Sequence, residues 1–269
     1  MSQSYTVPVV MTLAGNDPSG GAGLQADIEA IASMGCHAAP VVTALTVQDT
    51  CDVLAVVPID PDLVYAQART VLNDAPVAAI KIGLLGSPAN AEVIAELLED
   101  YPHIPLILDP VLAAGGGRDF DGDALADAIR RHLLARTTVL TPNSVEARRL
   151  APAADTLDAC AQALLDTGCA HVLITGTHET TDAVVNRLYG DGRLLDSWTW
   201  ERLPHDFHGS GCTLAAALAG LLAQGNELHA AVAQAQEYTW EALRGGYRIG
   251  AGQRIPNRLF WADEDGADD

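Results

Sequence analysis

Phe207-His208-Gly209-Ser210-Gly211-Cys212-Thr213 runs directly into Leu214-Ala215-Ala216-Ala217-Leu218-Ala219, and the rest of the chain is best read outward from this stretch. The two glycines let the backbone come close to a ligand. The Leu/Ala run after them is apolar on nearly every helical face, so it reads as a buried helix. A helix N-terminus carries unpaired N–H groups and the positive end of the helix dipole, which makes an anion cradle. Cys212 sits at that terminus, where a thiol pKa is expected to fall. A tight turn of small residues chosen for packing is the competing reading.

Upstream of this helix, apolar runs alternate with helical patterns. Strands are predicted over Val7–Ala14, Ala39–Thr46, Val77–Leu85, Leu106–Leu112, Thr138–Thr141 and His171–Thr175. Helices are predicted over Leu24–Met34, Leu63–Asn73, Ala89–Leu98, Ala124–Ala135 and Leu157–Thr167, with Asp17 and Ser19 available to cap the first of them. Ala183–Tyr189 and Leu194–Arg202 flank Gly190-Asp191-Gly192 and read as an edge hairpin. Helices Cys212–Ala223 and Glu227–Arg244 close the fold. Strand–helix alternation with continuous Val/Ile/Leu strands predicts an α/β protein: a mostly parallel central sheet covered by helices on both faces. An eight-stranded α/β barrel is the rival, and the late hairpin and paired terminal helices count against it. No linker or repeat divides the chain, so residues 1–260 read as one domain and 261–269 as an acidic, frayed tail.

Of 269 residues, 49% are apolar but only 5% aromatic, so the core is built from Ala, Val, Leu and Ile. The formal charge is −20, from 35 acidic and 15 basic residues. Such a surface repels nucleic acid and anionic membranes. Five scattered cysteines without metal-type spacing, no leader-like start and no spanning apolar run point to a reduced cytoplasm. Lys81 is the only lysine, which composition bias alone explains.

Other segments carry candidate chemistry. Gly15-Asn16-Asp17-Pro18-Ser19-Gly20-Gly21-Ala22-Gly23 follows the first strand but lacks the lysine of a P-loop. It is a tight turn at a sheet's carboxyl edge, where α/β proteins bind ligands, with Asp27 one helical turn on. Asn143 and Glu146 can hold a hydrated Mg²⁺, or form an N-cap with its capping-box partner. Asp109 ends a strand. Gln48 also ends one, and its amide can read a heteroaromatic edge. Gly115-Gly116-Gly117-Arg118 suggests a closing flap. His178-Glu179-Thr180-Thr181-Asp182 lacks zinc spacing, and Trp198 and Trp200 read as packing residues.

Taken in order, these segments resemble the hydroxymethylpyrimidine/phosphomethylpyrimidine kinases of thiamine synthesis, within the ribokinase-like superfamily. The resemblance rests on Ala14–Gly23 with Gln25-Ala26-Asp27, on Val42-Thr43-Ala44-Leu45-Thr46-Val47-Gln48, and on Lys81-Ile82-Gly83-Leu84. It continues through Leu108-Asp109-Pro110-Val111 and Thr141-Pro142-Asn143 to His208-Gly209-Ser210-Gly211-Cys212-Thr213-Leu214. It implies a ribokinase-like three-layer sandwich. It also implies ATP- and Mg²⁺-dependent phosphorylation of 4-amino-5-hydroxymethyl-2-methylpyrimidine, in many members also of the monophosphate. Residue by residue, it implies Gln48, Asp27, Gly15 and Val111 in the pyrimidine pocket and Asn143 and Glu146 at the metal. Gly209, Ser210 and Gly211 would lie on the transferring phosphate, with Cys212 as the proton acceptor or as a group that positions the hydroxyl. Thr175 stands where many members carry a phosphate-binding lysine, and Arg118 is the candidate replacement. Asn16 and Leu84 depart from the usual Ser/Thr and Met. A homodimer is expected. A pyridoxal kinase on the same fold and a non-catalytic nucleotide-binding regulator remain the alternatives.

Overall fold

The computed structural model describes residues 7–112 and 122–262. Among the described residues nine strands form one sheet: Val9–Asn16 (β1), His37–Gln48 (β2), Val53–Pro58 (β3), Val77–Ile82 (β4), Leu106–Leu108 (β5), Val139–Leu140 (β6), His171–Ile174 (β7), Ala183–Gly190 (β8) and Arg193–Glu201 (β9). Their order is β3-β2-β1-β4-β5-β6-β7-β8-β9. The six strands from β2 to β7 in that order are parallel, while β3 at one edge and β8 and β9 at the other are antiparallel. The barrel alternative is excluded by this open sheet.

The eight α-helices of the described residues are Gly23–Ser33 (α1), Pro61–Asp74 (α2), Pro88–Glu99 (α3), Gly122–His132 (α4), Ser144–Leu150 (α5), Leu157–Leu165 (α6), Ser210–Ala223 (α7) and Leu228–Arg244 (α8). Successive strand side chains point to opposite faces, and each face has its own core. Met11, Ile80, Leu106, Leu108, Leu140 and Val172 pack under α2 to α6. Val10, Ala79, Ile107, Val139 and Leu173 pack under α1, α7 and α8. That alternation makes the three layers. The Leu/Ala surface of α7 is buried on all sides from Thr213 to Leu221. Leu214, Leu218 and Leu221 are each nearly or fully buried, which contributes about 1.5–3 kcal/mol apiece before entropy.

Several boundaries differ from expectation for local reasons. β5 stops at Leu108 because Pro110 follows Asp109 and cannot donate to a ladder. β2 is longer than expected and turns back into β3, a strand the apolar pattern did not reveal because both faces of this hairpin are partly exposed. The short helix α5 was legible only as its cap. Asp17 and Ser19 do not cap α1: its N-cap is Ala22, with no side-chain bond. Asp17 instead folds the preceding loop, accepting from the Ser19 and Ala22 backbone N–H groups at 2.8 Å. Trp261 and Ala262, expected in the frayed tail, belong to a short 3₁₀ turn in which the Trp261 indole donates to Ser33. The rest of that tail lies outside the described residues.

The chain leaves β1 toward β2 on one side and returns as β4 on the other. This reversal opens a crevice beyond the carboxyl ends of β1 and β4, the usual ligand position in an open α/β sheet.

Candidate active site

A cavity of about 1100 Å³ fills that crevice, large enough for two small-molecule ligands side by side. Its floor comes from the carboxyl ends of parallel strands: Gly15 after β1, Lys81 in β4, Asp109 after β5 and Asn143 after β6. Gly209 to Cys212 enter from the α7 side.

The cradle owes its shape to steric exclusion. Gly209, the N-cap of α7, adopts φ 86° and supplies no side-chain cap. A Cβ there would lie 2.0 Å from the Gly21 carbonyl oxygen, so the two glycine-rich loops touch backbone to backbone. Arg258, fully buried, staples them: Nε donates to Thr213 Oγ1 at 2.8 Å, and Nη2 donates to the Gly21 carbonyl. His208 Nε2 meets Asp17 Oδ2 at 2.9 Å across the same seam. The uncapped first-turn amides of α7 therefore face the cavity on a rigid mount.

Facing the cradle is a buried charge network. Lys81 Nζ donates to both Asp27 oxygens, at 2.8 and 2.9 Å, and both side chains are fully buried. Burial opposes the ammonium charge, but Asp27, Cys212 and Asp109 outweigh it and raise the Lys81 pKa. Asp109 lies opposite Gly211, and its Oδ2 has no hydrogen-bond partner among the described residues. Burial pushes its carboxyl up to about 6, against the pull of Lys81. Cys212 overturns the expectation of a lowered thiol pKa. Burial pushes it up to about 12, and neither Lys81 nor the backbone hydrogen bond from Gly23 reverses that. It is a thiol, hydrogen-bonded with Asp109, at neutral pH.

Asn143 and Glu146 adopt the capping-box alternative. Asn143 Oδ1 accepts from the Val145 and Glu146 N–H groups, and Glu146 Oε2 accepts from the Asn143 N–H, all at 2.9 Å. Asn143 therefore has no free oxygen lone pair of the quality a metal requires. Glu146 also accepts from the Leu112 backbone N–H, and burial together with the Asp109 charge pushes its carboxyl up to about 8. Two desolvated, mutually repelling carboxylates and an unpartnered Asp109 oxygen are a donor set that a divalent cation satisfies. No group of three or more His, Cys, Asp or Glu side chains among the described residues could by itself hold a metal ion.

Gln48, Gly15, Val111 and Thr175 also line the cavity. The Gln48 carboxamide makes no hydrogen bond with the described residues and is free for a ligand. A Cβ on Gly15 would lie 2.9 Å from Leu84 Cδ2, so a larger residue there would displace the Leu84 side chain. Asp27 is corrected: it does not line the cavity but lies beneath it, with Thr12 and Lys81 on its oxygens. Arg118 lies outside the described residues. Sequence reasoning missed two features. Lys81, put down to composition, is the buried counter-ion of the site; a lone lysine near a strand's carboxyl end was the available signal. Trp200, taken as packing, borders the cavity with Trp240, their rings 6.2 Å apart.

Residues 17–257 match the sequence profile described as phosphomethylpyrimidine kinase. The chain belongs to the phosphomethylpyrimidine kinase family. It is 41% identical to the hydroxymethylpyrimidine/phosphomethylpyrimidine kinase of Synechococcus elongatus, over 92% of this chain and 95% of the relative. The counterpart from Haemophilus influenzae is 36% identical, over 95% and 97%. Among solved structures, the fold is similar to Bacillus subtilis pyridoxal kinase in an ADP complex (TM-score 0.87, 27% identity, 96% of this chain and 99% of that one). It is also similar to phosphomethylpyrimidine kinase from Clostridium difficile (TM-score 0.76, 29% identity, 88% and 100%). These likenesses agree with the ribokinase-like sandwich expected of the family.

Proposed function

We propose that this chain transfers the terminal phosphoryl group of ATP to the hydroxymethyl group of 4-amino-5-hydroxymethyl-2-methylpyrimidine, and then to the monophosphate, in cytoplasmic thiamine synthesis. The observation that carries this reading is the meeting of three features in one cavity: the uncapped N-terminus of α7, the unengaged Gln48 carboxamide, and the buried Asp109–Glu146 carboxylates. Residues 1–260 act as one kinase domain followed by the acidic tail 261–269. A homodimer is supported by the exposed apolar side chains Leu45, Val47, Leu54 and Val57 on the β2–β3 edge. No described helix is long and apolar enough to cross a membrane.

Phosphoryl transfer needs positioning and charge stabilisation more than covalent help. The Ser210, Gly211 and Cys212 N–H groups stabilise charge on the moving phosphoryl oxygens. Gln48 pairs with the pyrimidine edge and aims the hydroxymethyl group at the cradle. Cys212, as a thiol held to Asp109, orients the acceptor oxygen rather than removing its proton at the outset. Glu146 and Asp109 would hold Mg²⁺, which when bound neutralises charge on the nucleotide phosphates. Lys81, locked to Asp27, keeps the Asp109–Cys212 floor from carrying uncompensated negative charge.

The test is a mass-resolved assay with the pyrimidine alcohol and ATP, scored for mono- and diphosphate products. Failure to phosphorylate the alcohol refutes the reading, and ATP binding with no turnover at all favours a non-catalytic nucleotide binder. The second reading, a pyridoxal kinase, is favoured by the pyridoxal kinases among the similar solved structures. A larger kcat/KM for pyridoxal than for the pyrimidine would establish it.

A further inference from the structure

The cations around the cavity are unequally committed. Lys81, Arg202, Arg248 and Arg254 line it. Lys81 is neutralised by Asp27. Arg202 spends its whole fork on backbone carbonyls: Nε on Thr181 at 3.0 Å, Nη1 on Thr177 at 2.8 Å and Nη2 on Glu179 at 2.9 Å. Among the described residues Arg254 makes a single side-chain hydrogen bond, Nη1 to the Gly246 carbonyl at 3.0 Å, and its Nε is buried without a partner. Arg248 makes neither a hydrogen bond nor an ion pair among the described residues.

Both uncommitted guanidinium groups lie on one segment, the chain that follows α8, and that segment is tied to both halves of the site. Gln253 N–H donates to the Thr50 carbonyl at 2.9 Å, and Gly252 N–H donates to Thr50 Oγ1 at 3.0 Å, two residues beyond Gln48. At its other end, Arg254 N–H donates to the Asp206 carbonyl at 3.0 Å, and the Arg254 carbonyl accepts from His208 N–H at 2.9 Å, one residue before the cradle glycine. The arginines therefore bridge the pocket around Gln48 and the amides of α7.

We propose that Arg254, with Arg248 at the rim, is the cation subsite for a substrate phosphate. The chain carries −20 overall, and Asp17 and Asp109 add negative charge to the cavity wall, so an anionic ligand needs local cations to enter. A guanidinium offers phosphate a planar, two-pronged donor set. A buried charged donor left unpartnered is unfavourable, and a phosphate oxygen completes it. Thr175 contributes no charge to the opposite wall. The phosphate belongs either to the nucleotide or to a phosphomonoester acceptor, and the identity of both ligands rests on the kinase reading above.

The experiment is calorimetric titration of the full chain and its Arg248→Gln, Arg254→Gln, Arg254→Lys and double Arg→Gln variants. The ligands are ADP, the pyrimidine monophosphate and the uncharged pyrimidine alcohol. Each Arg→Gln change is expected to weaken at least one phosphate ligand by about tenfold, the double change by more, with Arg254→Lys intermediate because it keeps charge but loses the fork. The alcohol should stay within about twofold. A shift in the ADP arm assigns the donor phosphate, and a shift in the monophosphate arm assigns the acceptor phosphate. Phosphate affinities within twofold of the parent overturn the proposal, as does an equal loss for the alcohol. Arg248 is exposed, so its variant answers even where Arg254→Gln melts early. A parent chain that binds ADP but phosphorylates neither pyrimidine nor pyridoxal refutes the kinase reading and leaves the ADP arm decisive for the arginines.

Discussion

Replacing Lys81 with Met strands Asp27 in the core. The ion pair has no solvent access on either side, with N–O separations of 2.8 and 2.9 Å. At that distance an effective dielectric of 20 gives an attraction of about 6 kcal/mol, most of which offsets the desolvation of the two ions. The net worth of the pair is therefore small, but the cost of halving it is not: removing one partner of a buried pair costs about 3–5 kcal/mol. For a domain of this size that corresponds to a fall in melting temperature of roughly 5–9 °C. Thr12 still donates to Asp27 in the variant, which places the loss toward the lower end. A second substitution, Asp27→Asn with Lys81→Met, removes the stranded charge and should recover most of the stability. It should not recover activity, because Lys81 lines the cavity beside Asp109 and Cys212. Differential scanning fluorimetry and kcat under saturating substrates read the two effects separately. A Lys81→Met protein that melts within 2 °C of the parent would refute the ion-pair reasoning. A double variant that regains full kcat would refute the role of Lys81 at the site.

Cys212→Ser should keep kcat within about tenfold, since a thiol pushed up to about 12 is not the initial base. Mass-mapped alkylation at pH 8 should mark the exposed Cys51 well before Cys212. Gly209→Ala places a Cβ 2.0 Å from the Gly21 oxygen in a left-handed backbone, which costs at least about 1–2 kcal/mol. The cradle must then shift, and steady-state kinetics should show a fall in kcat/KM of up to about 100-fold. The Arg148 hydrogen bond holds Glu179 down at about 2. Its stabilisation is present above the ordinary glutamate value, near pH 4.5, and is lost as pH falls toward 2. Both side chains are a third or more exposed, so Glu179→Gln should flatten acid unfolding by less than about 1 kcal/mol in denaturant melts at pH 2 to 5.

Much of the fold was legible because it is written in local patterns. The near-continuous apolar strands, the all-apolar α7 and the Gly-Asp-Gly hairpin each depend on neighbours within a few residues. The β2–β3 hairpin was not legible, because a half-exposed edge strand has no clear alternation of apolar and polar residues. Motif reading singled out the glycine loop, Gln48 and the Asn143–Glu146 pair for the same local reason, and the structure brings them to one cavity. It could not choose between metal ligand and capping box for Asn143. That choice depends on which atoms its oxygen reaches, and the structure commits Oδ1 to two backbone N–H groups.

The glycine loop Gly209-Ser210-Gly211 and the helix behind it, read alone, determined that a close-approaching backbone leads into a buried helix N-terminus in an α/β frame, since backbone freedom and helix polarity are properties of the chain itself. Only the tertiary structure decided what faces the cradle. It brought Lys81 and Asp27, 54 positions apart, into one buried pair, and set Asp109 against Gly211. It also made Cys212 a thiol rather than a thiolate. The charge of a buried group is set by desolvation and by neighbours distant in sequence, and local sequence encodes neither.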